Sequence, residues 1–217
     1  MDCYNADYYE RGLESGVSLY TNYRWIPELT IPMAMTMIDF LGIKRNETIL
    51  EVGCSKGYLV KAFRLLYRQA WGIDVSEYAI SNADSSVKDF CFLKQGKYLS
   101  IPPEKPIQIP GRFDYCVCKD VLEHMKESEL VELFTNEIEV KKKIFAVIPL
   151  GDENGYFAPS NNLDKTHVLC RDSGWWCDFF FENGYEIDDF RFVLTGIKDS
   201  YYEKYPHAHG FFTLRNK

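Results

Sequence analysis

The stretch Ile49–Gly57 reads ILEVGCSKG and decides the fold of this chain. An apolar run that ends at Val52 predicts a buried strand, and the spacing of apolar residues over 58–69 predicts a helix directly behind it. Gly53 permits a turn conformation closed to most residues, and Gly57 removes a side chain where a ligand or the helix must approach. A strand, a glycine turn and a helix in this order bring backbone N–H groups close to a small ligand.

Glu51 indicates what kind of ligand this turn receives. Its carboxylate stands at the end of the predicted strand, where it would repel a phosphate and favour a ligand that carries positive charge. The spacing also disfavours a dinucleotide site, because the G-x-G-x-x-G pattern needs a glycine at Ser55 and another further on. An NAD-dependent dehydrogenase is therefore the weaker interpretation.

A second acidic residue follows at the interval that a nucleoside-binding site needs. Residues 70–73 predict the next strand, and Asp74 closes it, 23 positions after Glu51. A carboxylate at this place is positioned to accept hydrogen bonds from two ribose hydroxyls. Ser76 then predicts the N-cap of a helix over 78–87.

The acidic-x-Gly-x-x-x-Gly pattern of Glu51–Gly57 resembles the first motif of the class I S-adenosylmethionine-dependent methyltransferases. Two further stretches resemble the same family, namely GIDVSEYAI around Asp74 and FDYCVCKDVLEHM over Phe113–Met125. The Asp-x-Thr-His sequence at Asp164–His167 resembles a late segment of its small-molecule members. The order and spacing of these motifs, over about residues 41–214, carry the resemblance.

The resemblance implies an α/β fold of the Rossmann-like type. Its sheet would have seven mostly parallel strands, with helices on both faces and an antiparallel last strand. The cofactor would be S-adenosyl-L-methionine and the product S-adenosyl-L-homocysteine. We expect a single domain over residues 1–217, with an aromatic-rich N-terminal arm or lid at 1–31 and the core at 42–214. The alternative for the arm is a simply packed segment.

The resemblance also implies which residues bind the cofactor. They are Glu51, Gly53, Cys54, Ser55, Gly57, Asp74 and Val75 in the first two motifs, Cys118 and Lys119 through their backbone, and Tyr23 and Arg24 in the arm. An arginine suits a ligand carboxylate because its planar fork reaches both oxygens. Two positions depart from the family: Ser55 replaces a common glycine, and Lys97 replaces an acidic residue that binds the adenine amino group. A backbone N–H or another side chain must then read the adenine.

The segment after the fourth predicted strand is expected to reach the reaction centre. By resemblance, Asp120, Glu123 and His124 lie near the transferred methyl group, and His167 faces the acceptor pocket. We predict Asp120, His124 and His167 as catalytic, with His124 as the preferred general base, because an unperturbed histidine takes up a proton at about pH 6.5. The alternatives are a helix-capping Asp120 and a supporting His124. Asp164 is expected to orient a nucleophile with His167 or to fix the tautomer of that histidine.

Three further predictions concern the surroundings of the site. A helix is predicted over 130–140, with Lys141–Lys143 at its C-terminal end, where positive charge is favoured. The prolines of 98–112 predict a semi-rigid loop at the ligand edge of the sheet. A final strand that starts at His207 would put this residue and His209 on one face. No further ligands stand near this pair, so we predict no metal.

The composition limits the partners. The chain has 25 Lys and Arg against 32 Asp and Glu, a net charge of −7, which disfavours nucleic acid because phosphate binding needs clustered positive charge. No apolar run approaches the roughly 18–20 residues of a membrane span, and the first residues contain no apolar signal segment. We therefore expect no membrane partner and a cytoplasmic location. The seven scattered cysteines are expected to be reduced. A homodimer in which two subunits exchange their N-terminal arms stays an open alternative.

The sequence as a whole predicts a methyltransferase that acts on a small polar acceptor. Two histidines beside the expected pocket favour O-methylation, such as of a sugar hydroxyl or a related metabolite, because an oxygen acceptor must lose a proton. Two alternatives stay open. The chain would be a non-catalytic partner or scaffold that binds S-adenosylmethionine, or it would methylate a protein.

Overall fold

The computed structural model describes residues 3–94 and 112–217 of the chain. Lys97 and nearly all of the predicted loop over 98–112 lie outside these described residues. Within them, the chain forms a mostly parallel sheet of seven strands with helices on both faces, which confirms the predicted fold.

The described strands follow one another along the chain as β1 (Thr48–Val52), β2 (Gln69–Asp74), β3 (Cys91–Leu93), β4 (Phe113–Lys119), β5 (Val140–Pro149), β6 (Gly151–Asp152), β7 (Gly155–Tyr156), β8 (Tyr185–Arg191) and β9 (His209–Asn216). The main sheet has the order β3-β2-β1-β4-β5-β9-β8, and β6 pairs only with β7. As predicted, β9 runs antiparallel to both of its neighbours. The strand order reverses beside β1, and a crevice for a ligand is expected there, outside the carboxyl ends of the strands.

The described helices are α1 (Ala6–Glu10), α2 (Gly12–Ser15), α3 (Pro27–Leu41), α4 (Tyr58–Leu65), α5 (Glu77–Ser81), α6 (Glu127–Glu132), α7 (Ser173–Glu182) and α8 (Asp199–Tyr202). Successive residues of β1 serve opposite faces of the sheet. Ile49 packs with Met37 of α3 and Phe63 of α4, whereas Leu50 belongs to the cluster that contains Trp176 of α7. No helix within the described ranges has the length and apolar character needed to cross a membrane.

The predicted bounds of the helix over 130–140 and the predicted position of Lys141–Lys143 are wrong. The α-helix begins earlier, passes into a single π-helical turn at Leu133–Glu137, and the chain is extended from Val140 onward. The three lysines therefore lie in β5, just before its long buried run. Each lysine pairs with a carboxylate of another segment: Lys141 with Asp114, Lys142 with Glu47 and Lys143 with Asp188. These ion pairs compensate the charges at the start of the strand.

The final strand begins later than the predicted His207. It starts at His209, which is buried, while His207 is exposed and precedes it. The backbone N–H of Ala208 donates to the carbonyl of Tyr205 at 3.1 Å, which closes a turn in front of the strand. The two histidines therefore do not share one face of a strand.

Candidate active site

A cavity of about 1000 Å³ lies outside the carboxyl ends of β1, β2 and β4. Its wall includes the turn after β1 (51–55), the end of β2 (73–75), the turn after β4 (119–121), His124, and residues of the N-terminal arm. This volume is at the upper end of the range of small-molecule sites. The cavity therefore lies where the strand order predicts a ligand.

Asp74 holds the turn after β1 in shape. Its Oδ2 accepts a hydrogen bond from the backbone N–H of Ser55 at 2.7 Å, and its Oδ1 accepts one from the N–H of Ser76 at 2.8 Å. Asp74 also lines the cavity, where a carboxylate at the end of the second strand is placed to meet the hydroxyls of a ribose. Ser55 has a φ of +51°, the region that favours glycine, in agreement with the glycine common there in the family that the sequence resembles.

Two glycines permit the close packing of this turn. A Cβ on Gly53, where φ is +74°, would lie 2.6 Å from Cγ2 of Val121, so the turns after β1 and β4 touch one another. A Cβ on Gly57, where φ is +77°, would lie 2.5 Å from Sγ of Cys91. Gly57 thus allows α4 to begin against β3.

We expect Gly57→Ala to lower the free energy of unfolding by about 3 kcal/mol. Left-handed backbone at an alanine costs roughly 1–2 kcal/mol, and overpacking against Cys91 costs about as much. Gly42→Ala is the matched control, because Gly42 has a φ of +68° but no atom within 4 Å of an added Cβ. Chemical denaturation of both variants separates the cost of backbone strain from the cost of the steric overlap at Gly57. Equal losses in the two variants would contradict the packing role of Gly57.

Glu51 lies buried at the end of β1, and its Oε2 has no hydrogen-bond partner within the described ranges. Burial raises the pKa of Glu51 to about 8; the charge of Lys119 opposes this shift, and that of Asp74 adds to it. A buried carboxylate of this kind gains most from a cationic ligand. The site therefore fits the positively charged cofactor that the sequence predicts.

The N-terminal arm covers one side of the cavity. Its tyrosines pack edge-on or stacked against one another, namely Tyr4, Tyr8, Tyr9, Tyr20 and Tyr23. Nζ of Lys56, next to the glycine turn, pairs with Glu10 at 2.5 Å and donates to the carbonyl of Tyr23 at 3.0 Å. Arg24 is exposed and lines the cavity. Its predicted contact with a ligand carboxylate stays a prediction.

Asp120 is held by two lysines. Its Oδ2 lies 2.7 Å from Nζ of Lys119 and 2.6 Å from Nζ of Lys198. Burial on its own would raise the pKa of Asp120, but the two ammonium groups hold it well below its usual range. The carboxylate is therefore ionised at neutral pH and acts as a counter-ion. Its predicted catalytic role stays a prediction.

A chain of hydrogen bonds connects His124 to the arm. Oγ1 of Thr166 lies 2.8 Å from Nδ1 of His124 and donates to Oδ1 of Asp164 at 2.6 Å, and Tyr8 donates to Oδ2 of Asp164 at 3.2 Å. Because the single hydroxyl proton of Thr166 is directed at Asp164, Nδ1 of His124 carries a proton and Nε2 carries a lone pair. Asp164 thus fixes the tautomer of His124 through Thr166, and not that of the adjacent His167.

His167 and Glu123 complete a buried group beside His124. The two imidazole rings lie 4.6 Å apart, and Oε1 of Glu123 lies 3.9 Å from Nε2 of each histidine. Burial and the neighbouring His167 together lower the pKa of His124 to about 4, against the opposing charges of Asp164 and Asp120. Burial likewise lowers the pKa of His167. Both imidazoles are therefore neutral at pH 7.

Most of the predicted site residues line the cavity. Those in its wall are Tyr23, Arg24, Glu51, Gly53, Cys54, Ser55, Asp74, Val75, Lys119, Asp120 and His124. Gly57, Cys118 and His167 lie outside the lining. Sequence reasoning missed Thr166 and Lys198. Thr166 stands inside the Asp-x-Thr-His motif, which was a usable signal, whereas no pattern connects Lys198 to the distant Asp120.

Comparison with known sequences supports a methyltransferase. A family model described as a methyltransferase domain matches residues 50–137. The ubiquinone biosynthesis O-methyltransferase of Chromobacterium violaceum is 28% identical over 104 residues, which cover 46% of this chain and 43% of that protein. In this match the chain spans less than half the length of the curated relative.

Solved structures share the fold. The mitomycin 7-O-methyltransferase MmcR superposes with a TM-score of 0.59 at 14% identity, over 88% of this chain and 54% of that one. An S-adenosylmethionine-dependent methyltransferase from Clostridium acetobutylicum gives a TM-score of 0.59 at 11% identity, over 86% and 92% of the two chains. At these identities the likeness concerns the fold alone.

The fold and the cavity define a Rossmann-like domain whose site beside β1 fits a nucleoside-containing, positively charged cofactor. Together with the methyltransferase-domain model over residues 50–137, they support a class I S-adenosylmethionine-dependent methyltransferase. S-adenosylmethionine is the cofactor. Asp74 suits its ribose hydroxyls, and Glu51, whose buried Oε2 has no hydrogen-bond partner within the described ranges, suits its positive charge.

Proposed function

We propose that the protein transfers the methyl group of S-adenosylmethionine to a hydroxyl of a small polar acceptor, such as a sugar or a related metabolite. One observation carries the proposal: a single cavity is lined by Glu51 and Asp74 and also by His124, whose Nδ1 is tied through Thr166 to Asp164. The name of the curated relative, an O-methyltransferase, supports oxygen as the acceptor atom.

Methyl transfer to oxygen requires alignment and the removal of a proton. A lone pair of the acceptor oxygen forms the new O–CH₃ bond while the S–CH₃ bond breaks and its electron pair returns to sulfur. The hydroxyl proton must leave, and the neutral imidazoles of His124 and His167 are suitable to promote its removal. Because the positive sulfur already activates the methyl group, the protein mainly aligns donor and acceptor.

A screen of hydroxyl acceptors with histidine variants tests this proposal. We expect His124→Ala and His167→Ala each to lower the rate of methyl transfer by about 100-fold or more, because assisted proton removal contributes roughly 10²–10⁴-fold. The affinity for S-adenosylhomocysteine should stay unchanged. His207→Ala is the control, since this exposed histidine lies outside the cavity lining.

Three outcomes would contradict the proposal in different ways. Full rates in both cavity variants would refute a role for the histidines. Intact cofactor binding without turnover of any acceptor would favour the non-catalytic partner. Turnover of peptides in a parallel screen, with no turnover of small hydroxyl compounds, would favour a protein methyltransferase.

A further inference from the structure

Three potential metal ligands meet at His124, which lies in the wall of the cavity. Glu123, His124 and His167 each offer one ligand atom, and these atoms all lie within 4.8 Å of one another. Glu123 is fully buried, and neither of its carboxyl oxygens has a hydrogen-bond partner in the described part of the chain. A buried carboxyl group in this situation calls for a partner, because native folds rarely leave such groups unsatisfied.

The main chain fixes the two segments that bring these ligands together. The carbonyl of Glu123 accepts hydrogen bonds from the N–H groups of Val168 at 3.0 Å and Leu169 at 3.1 Å. His124 and His167 are therefore held on either side of the same carboxyl group. The cluster is built into the backbone and does not depend on long flexible side chains.

The imidazole of His124 is already oriented for ligation. Its Nδ1 is bound to Thr166, which leaves the lone pair of Nε2 on the side of Glu123. Metal-bound histidines commonly bind a carboxylate or a neutral oxygen through the other ring nitrogen, which fixes tautomer and orientation. The Thr166–Asp164 pair fills this supporting position.

We propose that Glu123, His124 and His167 bind one divalent transition-metal cation, such as Zn²⁺, and leave an open position for the oxygen of the acceptor. Two imidazoles and one carboxylate form a ligand set of catalytic zinc sites. Metal–ligand bonds of about 2.0–2.2 Å place tetrahedral ligand atoms roughly 3.4 Å apart. The two separations of 3.9 Å between Glu123 and the histidines need only a small contraction, and all three ligand atoms lie within 4.8 Å of one another. The sequence prediction of no metal considered His207 and His209 alone.

The role of this cation rests on the proposed function. A bound Zn²⁺ lowers the pKa of a coordinated water to about 7, and it lowers the pKa of a coordinated hydroxyl by the same electrostatic effect. The acceptor hydroxyl then releases its proton to water, its oxygen takes the methyl group, and the electron pair of the broken S–C bond returns to sulfur. In this arrangement the two histidines promote removal of the proton by holding the cation, and water accepts the proton. An acceptor hydroxyl with a neighbouring oxygen, as in a vicinal diol, would fit best because both oxygens can bind the cation.

Titration of chelator-treated, dialysed protein with Co²⁺ tests the site. Cobalt replaces zinc in such sites and absorbs visible light, and its absorption distinguishes nitrogen and oxygen ligands from cysteine sulfur. We expect one Co²⁺ per chain with nitrogen and oxygen ligands. Affinity should fall at least about tenfold in Glu123→Gln and His167→Ala, and stay unchanged in His207→Ala. Glu123→Gln preserves the size of the side chain, and S-adenosylhomocysteine binding reports whether its fold is intact.

The following results would contradict the cation site, the role of the cation or the proposed function separately. Equal Co²⁺ binding by wild type and Glu123→Gln, or absorption from cysteine sulfur alone, would overturn the cation site. Methyl transfer that persists at full rate in chelated protein would overturn the role of the cation but leave the proposed function standing. Failure of wild type to bind S-adenosylhomocysteine would count against the proposed function, while the cobalt titration would still decide the site.

Discussion

Replacing Asp74 by alanine is expected to lower the affinity for S-adenosylmethionine and S-adenosylhomocysteine by about 100-fold or more. Asp74 stands at the end of β2 in the cavity wall, where it is placed to accept two ribose hydroxyls. Hydrogen bonds to a charged group contribute about 1.5–3 kcal/mol each, and every 1.4 kcal/mol corresponds to about tenfold in affinity. Calorimetric titration with both ligands measures the effect.

The same substitution should also weaken the fold, since the backbone N–H groups of Ser55 and Ser76 lose their acceptor. We expect the free energy of unfolding to fall by about 2 kcal/mol. Asp172→Ala is the matched control. Asp172 caps α7 through a bond from the N–H of Trp175 at 2.8 Å, so its removal should cost about 1 kcal/mol without any change in cofactor affinity.

The two measurements together separate binding from stability. A variant that binds weakly while it is still folded, at a denaturant concentration far below its transition, has lost the ribose acceptor. Cofactor affinity of Asp74→Ala within about threefold of wild type, equivalent to less than 1 kcal/mol, would show that Asp74 only shapes the turn.

The cofactor half of the site was predictable because its signals are local. β1, the glycine turn and α4 follow one another within Thr48–Leu65, and the period of the apolar residues marks both elements. Asp74 belongs to the very next strand, so its place beside the turn follows from parallel pairing of β1 with β2. Few arrangements are compatible with such short connections.

The acceptor half was only partly predictable because its contacts are remote in sequence. The bond between Thr166 and His124 spans 42 positions, and the ion pair of Lys198 with Asp120 joins segments that no local pattern relates. The predicted position of Lys141–Lys143 was wrong for a similar reason. A basic run after an apolar helical period suits a helix end, but the partners that allow it in β5 come from three distant segments.

Glu51→Gln is expected to make the protein more stable than wild type at pH 8 but not at pH 5. Burial raises the pKa of Glu51 from 4.5 to about 8 in the folded chain, so the folded state keeps a proton that the unfolded state releases. The stability that this carboxyl contributes is full below about pH 4.5 and is lost as the pH rises to about 8. Because one pKa unit is equivalent to about 1.4 kcal/mol, the gain of the variant at pH 8 should be on the order of 3–5 kcal/mol.

Chemical denaturation of both proteins between pH 5 and pH 8 measures this difference. Glu47→Gln is the control, because the pKa of Glu47 is shifted in the opposite direction. Burial acts to raise this pKa, but hydrogen bonds from Lys142 and from the N–H of Lys44 bring it below 4.5. The stability difference between Glu47→Gln and wild type should therefore stay constant above about pH 5. Parallel stability curves for wild type and Glu51→Gln would contradict a perturbed carboxyl group at Glu51.

Bound S-adenosylmethionine should offset the free-energy cost of ionising Glu51 in the folded chain. The charged groups that face Glu51 are Lys119, which favours its ionised form, and Asp74, which disfavours it. A cationic cofactor adds positive charge, so S-adenosylmethionine should bind more tightly to wild type as the pH rises from 6 to 8. Its affinity for Glu51→Gln should lack this rise, and S-adenosylhomocysteine, which lacks the sulfonium charge, should show a smaller rise with wild type. If both ligands gained affinity equally, Glu51 would respond to the amino group that they share and not to the sulfonium.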